Sequence, residues 1–143
     1  MFPDKASMVR RARALWLLLM VAPASCLLIA YLLSNSGLGN TDPDYIQLLL
    51  PALLIVSASN LGFVAFTQTS KRYNPLLASK DPIGWVFQVL TIGSVLSEAL
   101  AIYGFILALL SGSLLYAAAF SLASWAALIW VRTRFTQNLE RLP

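Results

Sequence analysis

One carboxylate stands alone in a long apolar run: Glu98, within residues 84–110 (GWVFQVLTIGSVLSEALAIYGFILALL). Between Asp81 and Arg132 the chain has no other Asp, Glu, Lys or Arg. A helix rises about 1.5 Å per residue, so this run is long enough to cross a bilayer core of about 30 Å. Glu98 then falls near the midplane, where ionising a carboxyl costs roughly 3 kcal/mol or more. Such residues are rare in membranes and mark ion paths, proton relays or polar contacts between helices.

At about 100° per residue, Glu98, Ser94 and Thr91 share one narrow face, with Gln88 at its flank. Asn60, in the preceding apolar run, lies near the same depth, and Ser57 and Thr67 fall on its side of that helix. Glu98, Ser94, Thr91 and Asn60 are therefore the candidate ion-binding residues. Two chemistries fit them. One is a protonatable site approached along hydrogen-bonding side chains. The other is an interhelical anchor, with Glu98 donating a proton to a neighbouring helix.

Other chemistry has little to build on. The chain has no histidine and one cysteine, Cys26. That removes His-ligated haem, most zinc sites, a Ser-His-Asp triad and an intramolecular disulfide. No pair of acids lies near a predicted membrane surface, so an enzyme is the weakest class and no catalytic residue, cofactor or metal is expected.

The elements that must position Glu98 are four apolar segments at 14–33, 45–66, 84–110 and 114–131. Of the 143 residues, 59% are hydrophobic and 11% charged, against roughly a quarter charged in soluble domains. The expected fold is all-α, a single polytopic membrane domain of four transmembrane helices. Residues 34–44 and 67–83 carry turn-forming Gly, Asn, Asp and Pro. Ser111-Gly112-Ser113 alone separates the third and fourth segments, which makes them antiparallel neighbours. Small residues at Ala22/Cys26/Ala30, Ala58/Gly62 and Ala119/Ala123/Ala127 offer faces for close packing. The last set is the expected contact with helix three.

Charge gives an orientation. Lys5, Arg10, Arg11 and Arg13 precede the first segment; Lys71, Arg72 and Lys80 lie between the second and third; Arg132, Arg134 and Arg141 follow the fourth. With four spans all ten basic residues fall on one side, which the positive-inside rule makes cytoplasmic. Both termini are then inside, and the expected location is the cytoplasmic (inner) membrane. The net charge of +4 is topogenic on this reading. Scattered over short loops, it gives no nucleic-acid footprint. The expected partners are membrane lipids, with a homo-oligomer or a larger membrane complex as the possible assemblies.

Residues 97–110 (SEALAIYGFILALL) distantly resemble the ion-carrying helix of the F-type ATP synthase c subunit, the rotor proteolipid. There a membrane-embedded carboxylate is followed by a small-Ile-Tyr-Gly/Ala pattern and an aliphatic run, matched here by Glu98 and Ala101-Ile102-Tyr103-Gly104. Arg72-Tyr73-Asn74-Pro75 loosely resembles the basic polar loop of that hairpin. The resemblance implies that Glu98 carries a proton or cation. The chain departs from the family in its four-helix form and in lacking a glycine-rich helix, since the second segment has only Gly62.

Overall fold

The computed structural model describes residues 4–36, 43–69 and 82–140. They form four helices: α1 (Lys5–Ser34), α2 (Pro43–Thr69), α3 (Pro82–Ser111) and α4 (Leu114–Glu140). Each is long and apolar enough to cross a membrane. Among the described residues the fold is thus all-α, with four helices fit by length and composition to span a membrane. The helices outrun the apolar segments most at the two chain ends. There Met8 and Ala12 of α1 pack with Val131 and Phe135 of α4, so polar and basic turns are held helical by burial of one side. Asp4 caps α1, its carboxylate accepting a hydrogen bond from the Ser7 backbone N–H at 2.7 Å.

α3 is the hub, packed on α4, α1 and α2. Its seam with α4 is antiparallel. Gly104 faces Phe120, and Gly93 faces Val131. A methyl group added at Gly104 would collide with Phe120 and lie 2.8 Å from the Tyr116 carbonyl oxygen, so only glycine permits this approach. Along α3, Gly93, Ser97, Ala101, Gly104 and Ala108 are buried. Such small residues let two backbones close up where lipid supplies no hydrophobic drive. Gly112 makes the turn: its φ of 68° is left-handed, and its N–H returns to the Ala108 carbonyl at 2.9 Å.

α1 runs antiparallel to α4 on a register fixed by three side-chain donors. Trp16 Nε1 donates to the Leu128 carbonyl (3.1 Å), Trp125 Nε1 to the Met20 carbonyl (3.0 Å) and Ser121 Oγ to the Pro23 carbonyl (3.3 Å). Pro23 lacks the N–H that would pair one turn back, and its ring crowds that turn. Donors from α4 reach carbonyls at Met20 and Pro23, at the two ends of this loosened stretch. Trp125 is thus a seam donor as well as a packing residue.

α2 is peripheral. It meets α3 through Leu49, Leu50 and Leu53, through Val64, and through two hydrogen bonds: Asn60 Nδ2 to Tyr103 Oη (3.3 Å) and Gln68 Nε2 to the Val89 carbonyl (3.4 Å). The helices alternate in direction. Both described chain ends meet at one end of the bundle, where Met8 and Leu139 join a single cluster.

The small-residue faces behave differently from one another. Ala22, Cys26 and Ala30 are buried or half-buried. Ala58 and Gly62 are exposed, and a Cβ at Gly62 would meet nothing within 4 Å. On α4, Ala127 is buried but Ala119 and Ala123 are exposed. The α4 seam instead follows Ala117, Phe120, Ser124, Ala127 and Val131. The small residues that allow the contact sit mainly on α3. Lys71, Arg72, Tyr73, Asn74, Pro75, Ser79 and Lys80 lie outside the described residues, as does Arg141.

Candidate ion site on helix three

Burial along α3 divides the helix into two faces. Ser94 and Ala101 are fully buried, whereas Val95 and Ile102 are about half exposed (51% and 45%). At about 100° per residue, Glu98 falls on the border between those two stripes. It is half-buried there. The border faces α1. Phe105, two turns further along the same line, packs against the cluster that joins Ala30 of α1 to Ala108 and Ala117, and the Cys26 thiol lies within electrostatic reach of Glu98.

Glu98 makes no hydrogen bond or ion pair among the described residues. The other candidate residues surround it unevenly. Ser94, one turn below on the same face, has a hydroxyl that is fully buried and makes no hydrogen bond among the described residues. A helical serine ordinarily returns its proton to the carbonyl four residues back, as Ser97 does to Gly93 at 2.7 Å. Ser94 departs from that habit. Thr91 follows it, donating to the Phe87 carbonyl at 2.9 Å. Gln88 is exposed at the end of the line.

Asn60 is drawn elsewhere. Its amide donates to Tyr103, and Tyr103 stands about 140° around α3 from Glu98. Its partners on α2 differ too: Ser57 is buried with an unpartnered hydroxyl, and Thr67 donates to the Val64 carbonyl. The structure therefore brings Glu98 and Ser94 together, keeps Thr91 on their line, and sends Asn60 to another face. The direction of Asn60 was invisible in the sequence because depth along a helix carries no azimuth relative to a partner.

Two polar groups escaped the sequence reading. Ser124 of α4 is fully buried with an unpartnered hydroxyl. Arg132 lies with its guanidinium over Trp16, 5.3 Å from the ring centroid, and 5.7 Å from that of Phe135. The signal for Arg132 was its position: it is the first charge after a long apolar run, with Trp16 at the matching depth of α1.

Comparison of the chain with protein-family models, curated proteins and solved structures gives no match.

Proposed function

We propose that this multi-pass membrane protein handles protons or cations through Glu98, in the manner of the carboxylate helix of c-type rotor proteolipids. The observation that carries the reading is the half-buried border position of Glu98, which makes no hydrogen bond or ion pair among the described residues. A carboxyl that merely tied α3 to α1 or α2 would be bonded to one of them. An unpartnered carboxyl at mid-span has a desolvation cost that no contact among the described residues offsets. A proton, a cation or a second chain must meet it. Ser94 supports the first two. Its hydroxyl, free of the usual backbone bond, sits one turn away as a ready ligand or relay. On this reading the membrane is the cytoplasmic one, and the basic end of the bundle, with both termini, faces the cytoplasm.

A second reading rests on exposed apolar surface. Leu48, Ile55 and Leu61 of α2 and Leu18 and Leu28 of α1 are open. A subunit of a larger membrane complex would use such faces, with Glu98 anchoring a neighbouring chain. Carbodiimide modification of the full chain in liposomes separates the two. The ion-handling reading expects one adduct, at Glu98, formed in acid, suppressed by raising the pH or by a bound cation, and absent in Glu98→Gln. A Glu98 that stays unreactive at every pH, sealed against a partner chain, would contradict it.

A further inference from the structure

Four serines lie fully buried where α1, α3 and α4 meet: Ser94 and Ser97 of α3, Ser121 and Ser124 of α4. Two contacts fix the register of α3 and α4, Gly93 against Val131 and Gly104 against Phe120. These contacts are eleven residues apart on both helices, so Ser97 stands level with Ala127 and Ser124 with Leu100. Ser97 and Ser124 fall within about 40° of the line of contact. Ser94 and Ser121 are turned toward α1. Ser121 reaches the Pro23 carbonyl there. Ser94 falls within about 20° of Phe105, which packs on the cluster that includes Ala30 of α1. Along the bundle axis the order is Ser94, Ser97, Ser124, Ser121, in steps of about three residues, or about 4.5 Å.

The four hydroxyls are satisfied unequally. Ser97 donates to the Gly93 carbonyl at 2.7 Å and Ser121 to the Pro23 carbonyl at 3.3 Å. Ser94 and Ser124 make no hydrogen bond among the described residues. Neither takes the carbonyl one turn back that a helical serine ordinarily uses. A further acceptor lies at the same depth. Pro23 has no N–H to give the Leu19 carbonyl. The bonds from Trp125 to Met20 and from Ser121 to Pro23 set that carbonyl level with Ser124.

A step of about 4.5 Å is too long for one hydroxyl to reach the next. It matches two hydrogen bonds of about 2.8 Å meeting at one tetrahedral oxygen. The four serines are neutral, so their column suits a neutral ligand rather than an ion. Buried polar atoms without a protein partner are ordinarily met by ordered water, which needs about two to four polar partners. We propose that the α1–α3–α4 core binds a short file of water molecules from Ser94 to Ser124, bridged at the Ser97 oxygen and ending on the Leu19 carbonyl. Ser94 lies one turn from Glu98, so the file brings exchangeable protons to within a helical turn of the carboxyl. The inference does not depend on ion handling by Glu98; a protein that moves no ion would hold the same water.

The test is water–protein NOE spectroscopy of the full chain in detergent micelles. The reporter is the Ala101 methyl, fully buried, one turn from Ser97 and without an exchangeable proton. It should show a cross-peak at the water frequency at least threefold stronger than any at Leu107, which is equally buried in the cluster shared with α2. Ser94→Ala combined with Ser124→Ala preserves the packing and should weaken the Ala101 peak at least twofold. Each single variant should lower the thermal midpoint, because it removes a bonded hydroxyl; removing an orphaned one would leave the midpoint unchanged or raise it. An Ala101 peak no stronger than that of Leu107, or one that the double variant leaves at full strength, would overturn the proposal. So would midpoints that hold or rise in both single variants.

Discussion

At the scale of single residues, this protein is decided by a carboxyl, a hydroxyl and a glycine. Among the described residues Glu98 and Ser94 are polar groups without partners in a layer where partners are scarce, and they lie one turn apart on α3. Gly104 is a point of close approach between α3 and α4. Adding one methyl there forces α4 away from α3, since Phe120 and the Tyr116 carbonyl already occupy the space. Gly104→Ala should therefore lower stability by about 1–3 kcal/mol, the usual cost of overpacking. Gly62→Ala is the contrast. Its Cβ would meet nothing, and alanine is the better helix former by about 1 kcal/mol. Thermal unfolding of both variants in one detergent checks the pair. Equal midpoints would contradict the assigned seam. Glu98 was legible in the sequence because an isolated charge in an apolar run is its own signal. Gly104 carried no such mark, because its role depends on which side α4 occupies.

At the scale of elements, the helices and their order could be read from hydropathy, but their faces could not. An apolar helix in lipid shows no contrast between buried and exposed sides, so the period of 3.6 that marks a soluble helix is absent. Hence Ala119 and Ala123 looked like seam residues and are exposed, while Ala127 is buried. Ala127→Leu should destabilise the detergent-solubilised fold by about 1–3 kcal/mol, and Ala123→Leu should be near neutral. The reverse order would place α4 wrongly on α3. Helix ends were also underestimated, since basic turns at 5–13 and 132–140 pack on one another rather than on lipid. The first of these begins at a cap that responds to acid. Hydrogen bonding by Ser7, its side chain first and its backbone N–H second, holds the Asp4 carboxyl below the usual carboxylate range. A carboxyl depressed on folding stabilises above its unfolded value and loses that contribution as pH falls toward the folded one. The protection of the Ser7 amide, the slowing of its exchange relative to an unfolded chain at the same pH, should thus fall as pH drops below about 4. In Asp4→Asn, which keeps a cap without a titrating group, that acid dependence should vanish. Persistence of the dependence would remove the cap from the account.

At the scale of the whole molecule, α3 is sheathed by three helices yet keeps one open strip, and Glu98 stands at its margin. α2 and much of α1 present apolar surface outward, which suits lipid or a neighbouring subunit equally. The two described chain ends share one end of the bundle, in keeping with the one-sided placement of basic residues. What such a body does with an unpartnered carboxyl is best measured as transport. Full-length protein in liposomes should dissipate an imposed proton or sodium gradient faster than empty vesicles. Glu98→Gln, which retains hydrogen bonding and removes the exchangeable charge, should return the rate to that of empty vesicles with the fold intact. A Glu98→Gln protein that conducts as well as wild type, or a wild type no faster than empty vesicles, would contradict ion handling by Glu98.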